Sequence, residues 1–235
     1  MNELKDFVAR SIAGTPEGMR TFFDTEAFPW TAKVESHWRA IRTELDGLLQ
    51  NIDSLPAFEE IQVEQETLGT DRRWKIFPFY AYGTWTAYPA HRCPHTVEAL
   101  RLIPGLQAAM FSIFRARKEV PPHEGPYKGV LRYHLGLKVP QPETLCGIEV
   151  GGDVRHWSEG KSLIFDDSIS HRAWNHSDES RVVLFVDFTR PLPPPLNEIN
   201  EGVIARLGET DFIRLAVERW RRWESVHWPE LSTPR

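Results

Sequence analysis

Val130-Leu131-Arg132-Tyr133-His134-Leu135-Gly136-Leu137-Lys138-Val139 decides the fold. Leu131, Tyr133, Leu135, Leu137 and Val139 fall on one side of this stretch, and Val130, Arg132, His134 and Gly136 on the other. A period of two marks a β-strand, because successive side chains point to opposite faces of a sheet. The first side is wholly apolar and reads as core-facing. The second brings a guanidinium and an imidazole together, and a charge inside an apolar strand needs a partner.

Shorter runs of the same kind surround it. Trp74–Phe77, Phe79–Tyr82 and residues 147–150, 161–166 and 181–188 are predicted strands, with Gly151-Gly152-Asp153 as a turn. Several short strands joined by Gly/Pro turns indicate a sandwich or jelly roll rather than a parallel sheet. The ends read differently. Val34, Trp38, Ile41, Leu45, Leu48, Leu49 and Ile52 recur at helical spacing over residues 31–52, and Pro56 closes the element. A short helix is expected over 95–103, and more helix over about 196–226 after the Pro191–Pro195 segment. The expectation is one domain over 1–235, with a helical flank at about 1–60, a β core at about 70–190 and C-terminal helices.

A chain of 235 residues with 41% hydrophobic content supports one continuous core. A net charge of −5 gives no nucleic-acid footprint, and no apolar stretch is long enough to span a membrane. The first residues lack the pattern of a secretory signal, and there are only two cysteines, Cys93 and Cys146. A cytoplasmic location is expected. The nine tryptophans are expected to fill core and pocket walls.

Two histidines stand out. His123 lies in Pro122-His123-Glu124-Gly125-Pro126, and His171 follows Phe165-Asp166-Asp167-Ser168 in a polar loop. Each is followed by an arginine, Arg132 and Arg181. Imidazole suits iron, and guanidinium suits a carboxylate held by two hydrogen bonds. A metal and a dicarboxylate bound side by side need both. His91, His95, His156 and His176 are read as non-ligands.

The ordered motifs Ile103-Pro104-Gly105-Leu106, Phe111-Ser112-Ile113, Pro121–Pro126, Leu131–Leu137 and Trp157–Ser168, then His171 and Arg181–Leu184, carry a resemblance. The chain resembles the aspartyl/asparaginyl β-hydroxylase family of Fe(II)/2-oxoglutarate-dependent dioxygenases, in its bacterial branch. The resemblance implies a mainly β fold: a double-stranded β-helix (jelly roll, cupin-like) with flanking N- and C-terminal helices. It implies an enzyme that uses Fe(II), 2-oxoglutarate and O2 to hydroxylate a C–H bond, with succinate and CO2 as co-products. His123 and His171 match the two iron ligands. Arg181 matches the arginine on the distal carboxylate of 2-oxoglutarate, and Ser112 its hydroxyl partner. Arg132 and His134 match residues near the other end of the co-substrate. Two residues after His123, where the wider class has a third, carboxylate ligand, stands Gly125.

The chain also departs from the animal aspartyl hydroxylase. Met110 and Val130 stand where that enzyme has basic residues on the substrate carboxylate. The substrate is therefore expected to be a small molecule, an amino acid or peptide, or an acyl chain, rather than an acidic side chain. Arg115, Arg117 or Lys128 are the candidates to compensate. Two rival readings remain: a halogenase using the open iron position, and a catalytically silent cupin-like binding protein.

Overall fold

The strands are β1 (Phe22–Phe23), β2 (Trp74–Ala81), β3 (Thr84–Trp85), β4 (Leu106–Phe114), β5 (Lys118–His123), β6 (Val130–Lys138), β7 (Cys146–Val150), β8 (Asp153–His156), β9 (Ser162–Phe165), β10 (His171–Asn175) and β11 (Arg181–Thr189). In this computed structural model, which describes residues 2–228, they form two antiparallel sheets. The larger runs β1-β9-β6-β11-β4-β2-β3 and the smaller β5-β10-β7-β8. The helices are α1 (Asn2–Ala13), α2 (Trp30–Ser36), α3 (Trp38–Leu49), α4 (Phe58–Ile61), α5 (Ala87–Arg92), α6 (Pro94–Leu100), α7 (Leu196–Gly208) and α8 (Asp211–His227). None of the described helices is long and apolar enough to cross a membrane.

The alternation in β6 has a direct cause. Leu131, Tyr133, Leu135 and Leu137 are at most 1% exposed and join a core shared with Val34, Ile41 and Leu45 of α2 and α3. The opposite face turns toward the smaller sheet. There Cys146, Ile148 and Val150 of β7 pack with Phe165 of β9 and Val183 of β11. Helices therefore cover one face of the large sheet, and the small sheet lies against the other.

Two expectations need correction. The α-helices hold more residues than the strands, so the fold is mixed α/β with a β-sheet core rather than mainly β. The hydrogen-bonded ladders among the described residues form two separate sheets, not a closed barrel. The flanking helices stand where expected, but the helix of residues 31–52 is two helices meeting at His37, whose N–H shifts to the Val34 carbonyl. Strands β4 and β5 were hidden, β5 because Pro121 and Pro122 interrupt its pattern. Both cysteines are free and buried.

The loop between β9 and β10 is held by a buried carboxylate. Asp166 is 0% exposed. Its Oδ2 accepts from Lys128 Nζ at 2.8 Å and from Arg190, and its Oδ1 accepts from the Ser168 N–H and hydroxyl. Removing one partner of a buried ion pair costs about 3–5 kcal/mol, because the remaining charge is left desolvated. Asp166→Ala should therefore lower the urea unfolding free energy by about that amount. A loss within about 0.5 kcal/mol, the range of ordinary surface changes, would contradict this role.

Candidate functional site

Strand pairing brings the two histidines together. In the antiparallel ladder of β5 and β10, His171 is the direct partner of His123. Their ring centroids lie 4.1 Å apart, at 50°. Each Nδ1 is 2.9 Å from a backbone carbonyl two residues earlier, that of Pro121 for His123 and of Ile169 for His171. A carbonyl only accepts, so each Nδ1 carries the proton and each Nε2 keeps its lone pair. Burial disfavours charge on both rings. His123 is lowered, and His171, with Arg132 and His123 also beside it, is pushed down to about 3. His171 thus begins a strand rather than sitting in a loop, and His123 ends one.

Two neutral imidazoles with free nitrogens are the donor set a first-row divalent metal takes. Among the described residues no group of three or more His, Cys, Asp or Glu converges on one point. The place beside Gly125 is nevertheless filled. A Cβ there would lie 2.0 Å from Asp167 Oδ2, and the Gly125 N–H donates to the Asp167 carbonyl at 2.7 Å. Asp167 is 1% exposed, and neither carboxylate oxygen receives a hydrogen bond. Arg132 Nη2 is 2.8 Å from Oδ2 but out of hydrogen-bond alignment, so the contact is an ion pair only. Burial raises this carboxyl despite Arg132. A buried carboxylate without a donor, beside two free imidazole nitrogens, fits a cation that carries water ligands. Sequence reasoning favours loop structure for Asp166 and Asp167, with their carboxylates accepting from nearby backbone N–H groups or a histidine; Asp166 does accept from the Ser168 N–H, but Asp167 accepts from neither. The available signal was the glycine itself, since an empty side-chain position invites a neighbour.

Between the sheets lies a second set of groups. In the large sheet Arg181, Val183, Phe185 and Asp187 of β11 oppose Phe114, Ser112, Met110 and Ala108 of β4 on one side. On the other side Phe185 and Asp187 oppose His134 and Arg132 of β6. Directly opposed residues share a face, so Arg181, Ser112, Arg132 and His134 all look toward the small sheet. Arg181 is 1% exposed and lies between the Phe114 and Trp157 rings at 3.8 and 4.4 Å. Its Nε and Nη1 have no partner, and burial alone lowers it. An arginine does not deprotonate in practice, so this position favours an incoming anion. The Ser112 hydroxyl accepts from Trp74 Nε1 at 3.0 Å, which leaves its own proton uncommitted. His134 Nδ1 accepts from Trp157 Nε1 at 3.3 Å, so its orphaned Nε2 is a donor; burial and Arg181 hold the ring neutral. Three donors without acceptors are the complement of a carboxylate-bearing ligand.

Arg132 is different. It binds Asp187 with two hydrogen bonds, 2.8 and 3.2 Å, and lies 4.2 Å over the Phe185 ring. Its charge is already matched by two carboxylates. The other cations are also engaged elsewhere: Lys128 with Asp166, Arg115 with Asp53 and Arg117 with Asp178.

A cavity of about 330 Å³ adjoins His123. His123, Gly125, Arg132 and Tyr82 border one part, and Phe58, Ile61, Ala216 and Trp220 another. Met110 lines this cavity, but Val130 does not. Val130 packs instead with Val8, Ile12 and Val203 under α1 and α7, because it stands at the end of β6. The apolar wall therefore comes from α4 and α8, not from Val130.

The depressed His171 has a consequence for stability. Unfolded, it titrates near about 6.5; folded, near about 3. Within that window the unfolded chain holds the proton and the folded chain does not. Stability therefore falls as pH drops below about 6.5. Metal-free protein should melt at lower temperature at about pH 5 than at about pH 7, and His171→Gln should flatten this dependence. An unaltered slope in the variant would mean that folded His171 is protonated.

The family described as Aspartyl/Asparaginyl beta-hydroxylase matches residues 35–191. An "Ornithine lipid ester-linked acyl 2-hydroxylase" of Rhizobium tropici is 45% identical over 91% of this chain and 76% of its own length. The human "Aspartyl/asparaginyl beta-hydroxylase" is 29% identical over 67% of this chain, a match that spans 21% of the human protein. Among solved structures, a cupin domain of Schizosaccharomyces pombe Cnp3 aligns with a TM-score of 0.35 and 12% identity, over 50% of this chain and 66% of that one. On the family match and the 45% relative together, the chain belongs to the aspartyl/asparaginyl beta-hydroxylase family.

Proposed function

We propose that the protein is an Fe(II)/2-oxoglutarate-dependent dioxygenase, a hydroxylase of an aliphatic C–H bond in a lipid-like acyl chain, carried by one dioxygenase domain. The observation that carries this reading is the apolar cavity. His123 shares it with Phe58, Ile61, Met110, Phe185 and Ala216, so an extended hydrocarbon can lie against His123. The relative from Rhizobium tropici acts, by its name, on an acyl chain, which supports the same substrate class.

Bound iron(II), with 2-oxoglutarate and O2, would supply the oxidising chemistry: 2-oxoglutarate, O2 and R–H give succinate, CO2 and R–OH. His123 and His171 would hold the metal through their Nε2 atoms. Arg181 would bind a carboxylate of the co-substrate with the Ser112 hydroxyl beside it, and His134 Nε2–H would donate to the same molecule. Asp167 would accept from water on the metal. Arg132, held by Asp187 and Asp167, would orient that carboxylate rather than grip a substrate acid. The closed aromatic packing of Trp157, Phe165 and Phe185 around His134 keeps bulk water out.

Halogenation is disfavoured by the same geometry. The place a chloride would take beside Gly125 is filled by the Asp167 carboxylate, which also repels an anion. A silent binding protein would use the same donors on Arg181, Ser112 and His134 but would form no succinate from 2-oxoglutarate.

Arg181→Ala should raise the 2-oxoglutarate requirement strongly, since truncating one member of a buried charged pair costs about 2–5 kcal/mol. Unchanged co-substrate affinity would make Arg181 a structural residue. Incubation with Fe(II), 2-oxoglutarate, O2 and acyl lipids should give a product heavier by one oxygen, with matching succinate. Ala216→Phe, which fills the α8 wall, should lower kcat/KM for long acyl chains about tenfold relative to short ones. Equal loss for all lengths, or preferred turnover of an aspartyl peptide, would refute the acyl assignment and leave the co-substrate assignment intact.

A further inference from the structure

A second concave surface lies at the end of the large sheet, behind β2. Its walls carry five cations: Arg72, Arg73, Lys75, Arg115 and Arg117. Two carboxylates, Asp53 and Asp71, lie in its lining, and Glu60 and Asp178 pair with Arg72 and Arg117 at its rim, so positive charge exceeds negative by one. The chain as a whole is −5. Such a local reversal in an acidic protein is an electrostatic focus for an anion.

The fold builds this groove from two neighbouring turns. β2 and β4 are paired with Trp74 opposite Phe114, and the Arg115 N–H donates to the Arg73 carbonyl at 2.9 Å. The segment entering β2 and the turn leaving β4 are thereby placed side by side. Arg72 and Arg117 each adopt a left-handed backbone conformation, φ 58°, in these turns. Lys75 forms the floor. It is 5% exposed, and its Nζ donates to the Leu55 carbonyl at 2.8 Å. Burial lowers it; Glu60 and Asp53 oppose this shift, while Arg72 and Arg115 act in the same sense as burial by repulsion.

The existing pairings leave capacity. Arg72 meets Glu60, Arg115 meets Asp53 and Arg117 meets Asp178, and each of these arginines is more than a third exposed. Exposed pairs of this kind contribute little and exchange readily. Among the described residues the Arg73 guanidinium donates only to the Ala116 carbonyl, at 3.5 Å. Several guanidinium forks around one ammonium suit a tetrahedral oxyanion, which can accept from more than one fork at once. A carboxylate offers fewer acceptor directions and less charge.

The geometry points to a phosphate-binding site in this groove, separate from the oxidation cavity. Lys75 lies in the groove while its neighbours Trp74 and Ile76 line the cavity, so the two sites occupy opposite faces of β2. The ligand chemistry is a phosphate group, carried either by a small molecule or by a lipid headgroup.

Calorimetric titration of the full chain with inorganic phosphate at low ionic strength tests the site. Arg73→Gln with Arg115→Gln should weaken binding by about tenfold or more, since each charged hydrogen bond is worth about 1.5–3 kcal/mol. Arg10→Gln with Arg206→Gln, an equal loss of charge elsewhere, should leave it unchanged. Arg73→Lys with Arg115→Lys keeps the charge and should bind with intermediate strength, which guards against a folding artefact. Flotation with phosphatidylcholine vesicles, with and without phosphatidic acid, separates the sources. Binding only to the phosphatidic acid vesicles, lost in the glutamine variant, assigns a lipid headgroup; phosphate binding without vesicle binding assigns a small phosphorylated ligand. The proposal is overturned by absence of phosphate and vesicle binding, by equal loss in the control variant, or by succinate binding as tightly as phosphate.

Discussion

The register between β5 and β10 is the constraint on which the rest depends. It sets His171 opposite His123, with both rings on one side of the small sheet. A slip of one residue would turn one imidazole to the other face. The backbone then does a second task. Each ring's Nδ1 is engaged by the carbonyl two residues earlier, Pro121 within β5 and Ile169 in the loop just before β10, so the ladder and its entry govern position, tautomer and the direction of both free nitrogens. The neighbouring β11 acts in the same way for the larger sheet. It lies between β4 and β6, and thereby aligns Arg181 and Asp187 with Ser112, His134 and Arg132.

The charges near this ladder divide into two kinds. Asp166 and Arg132 are saturated by partners and serve to hold the loop and the strand in place. Arg181 and Asp167 are buried without matching hydrogen bonds. An unfilled buried charge opposes folding, and it is tolerable only where a ligand compensates it. The two unsaturated groups have opposite sign, one fitted to a carboxylate and one to a hydrated cation. Their positions divide the region between the sheets into an anion end beneath Trp157 and a cation end beside Gly125.

Much of this was legible in the residues. The alternation of β6 was visible because helices cover one side of it and the small sheet lies against the other. The histidines and Arg181 were legible through local motifs, and Arg132 and His134 through the period of two. Contacts between distant segments were not. Nothing local in Asp166-Asp167 distinguishes a saturated carboxylate from an unsaturated one; that depends on Lys128, Arg190 and Gly125, about 40 residues or fewer away in sequence but adjacent in space. Val130 sits on the expected side of its strand, yet at its end, where α1 and α7 cover it. Helix α1 lies within the expected helical flank, whereas α5 escaped notice because six residues are too few to show a helical period.

The contact between Gly125 and Asp167 bears on how such sites change over evolutionary time. A side chain at 125 and the carboxylate at 167 claim the same space. A lineage moving between a two-histidine centre and one with a third carboxylate ligand cannot alter position 125 alone; position 167 must shrink or swing away first. The order of substitutions is constrained, and the intermediate with small residues at both positions has neither carboxylate. That intermediate is a valley, and the two types of centre stand on either side of it as separate peaks.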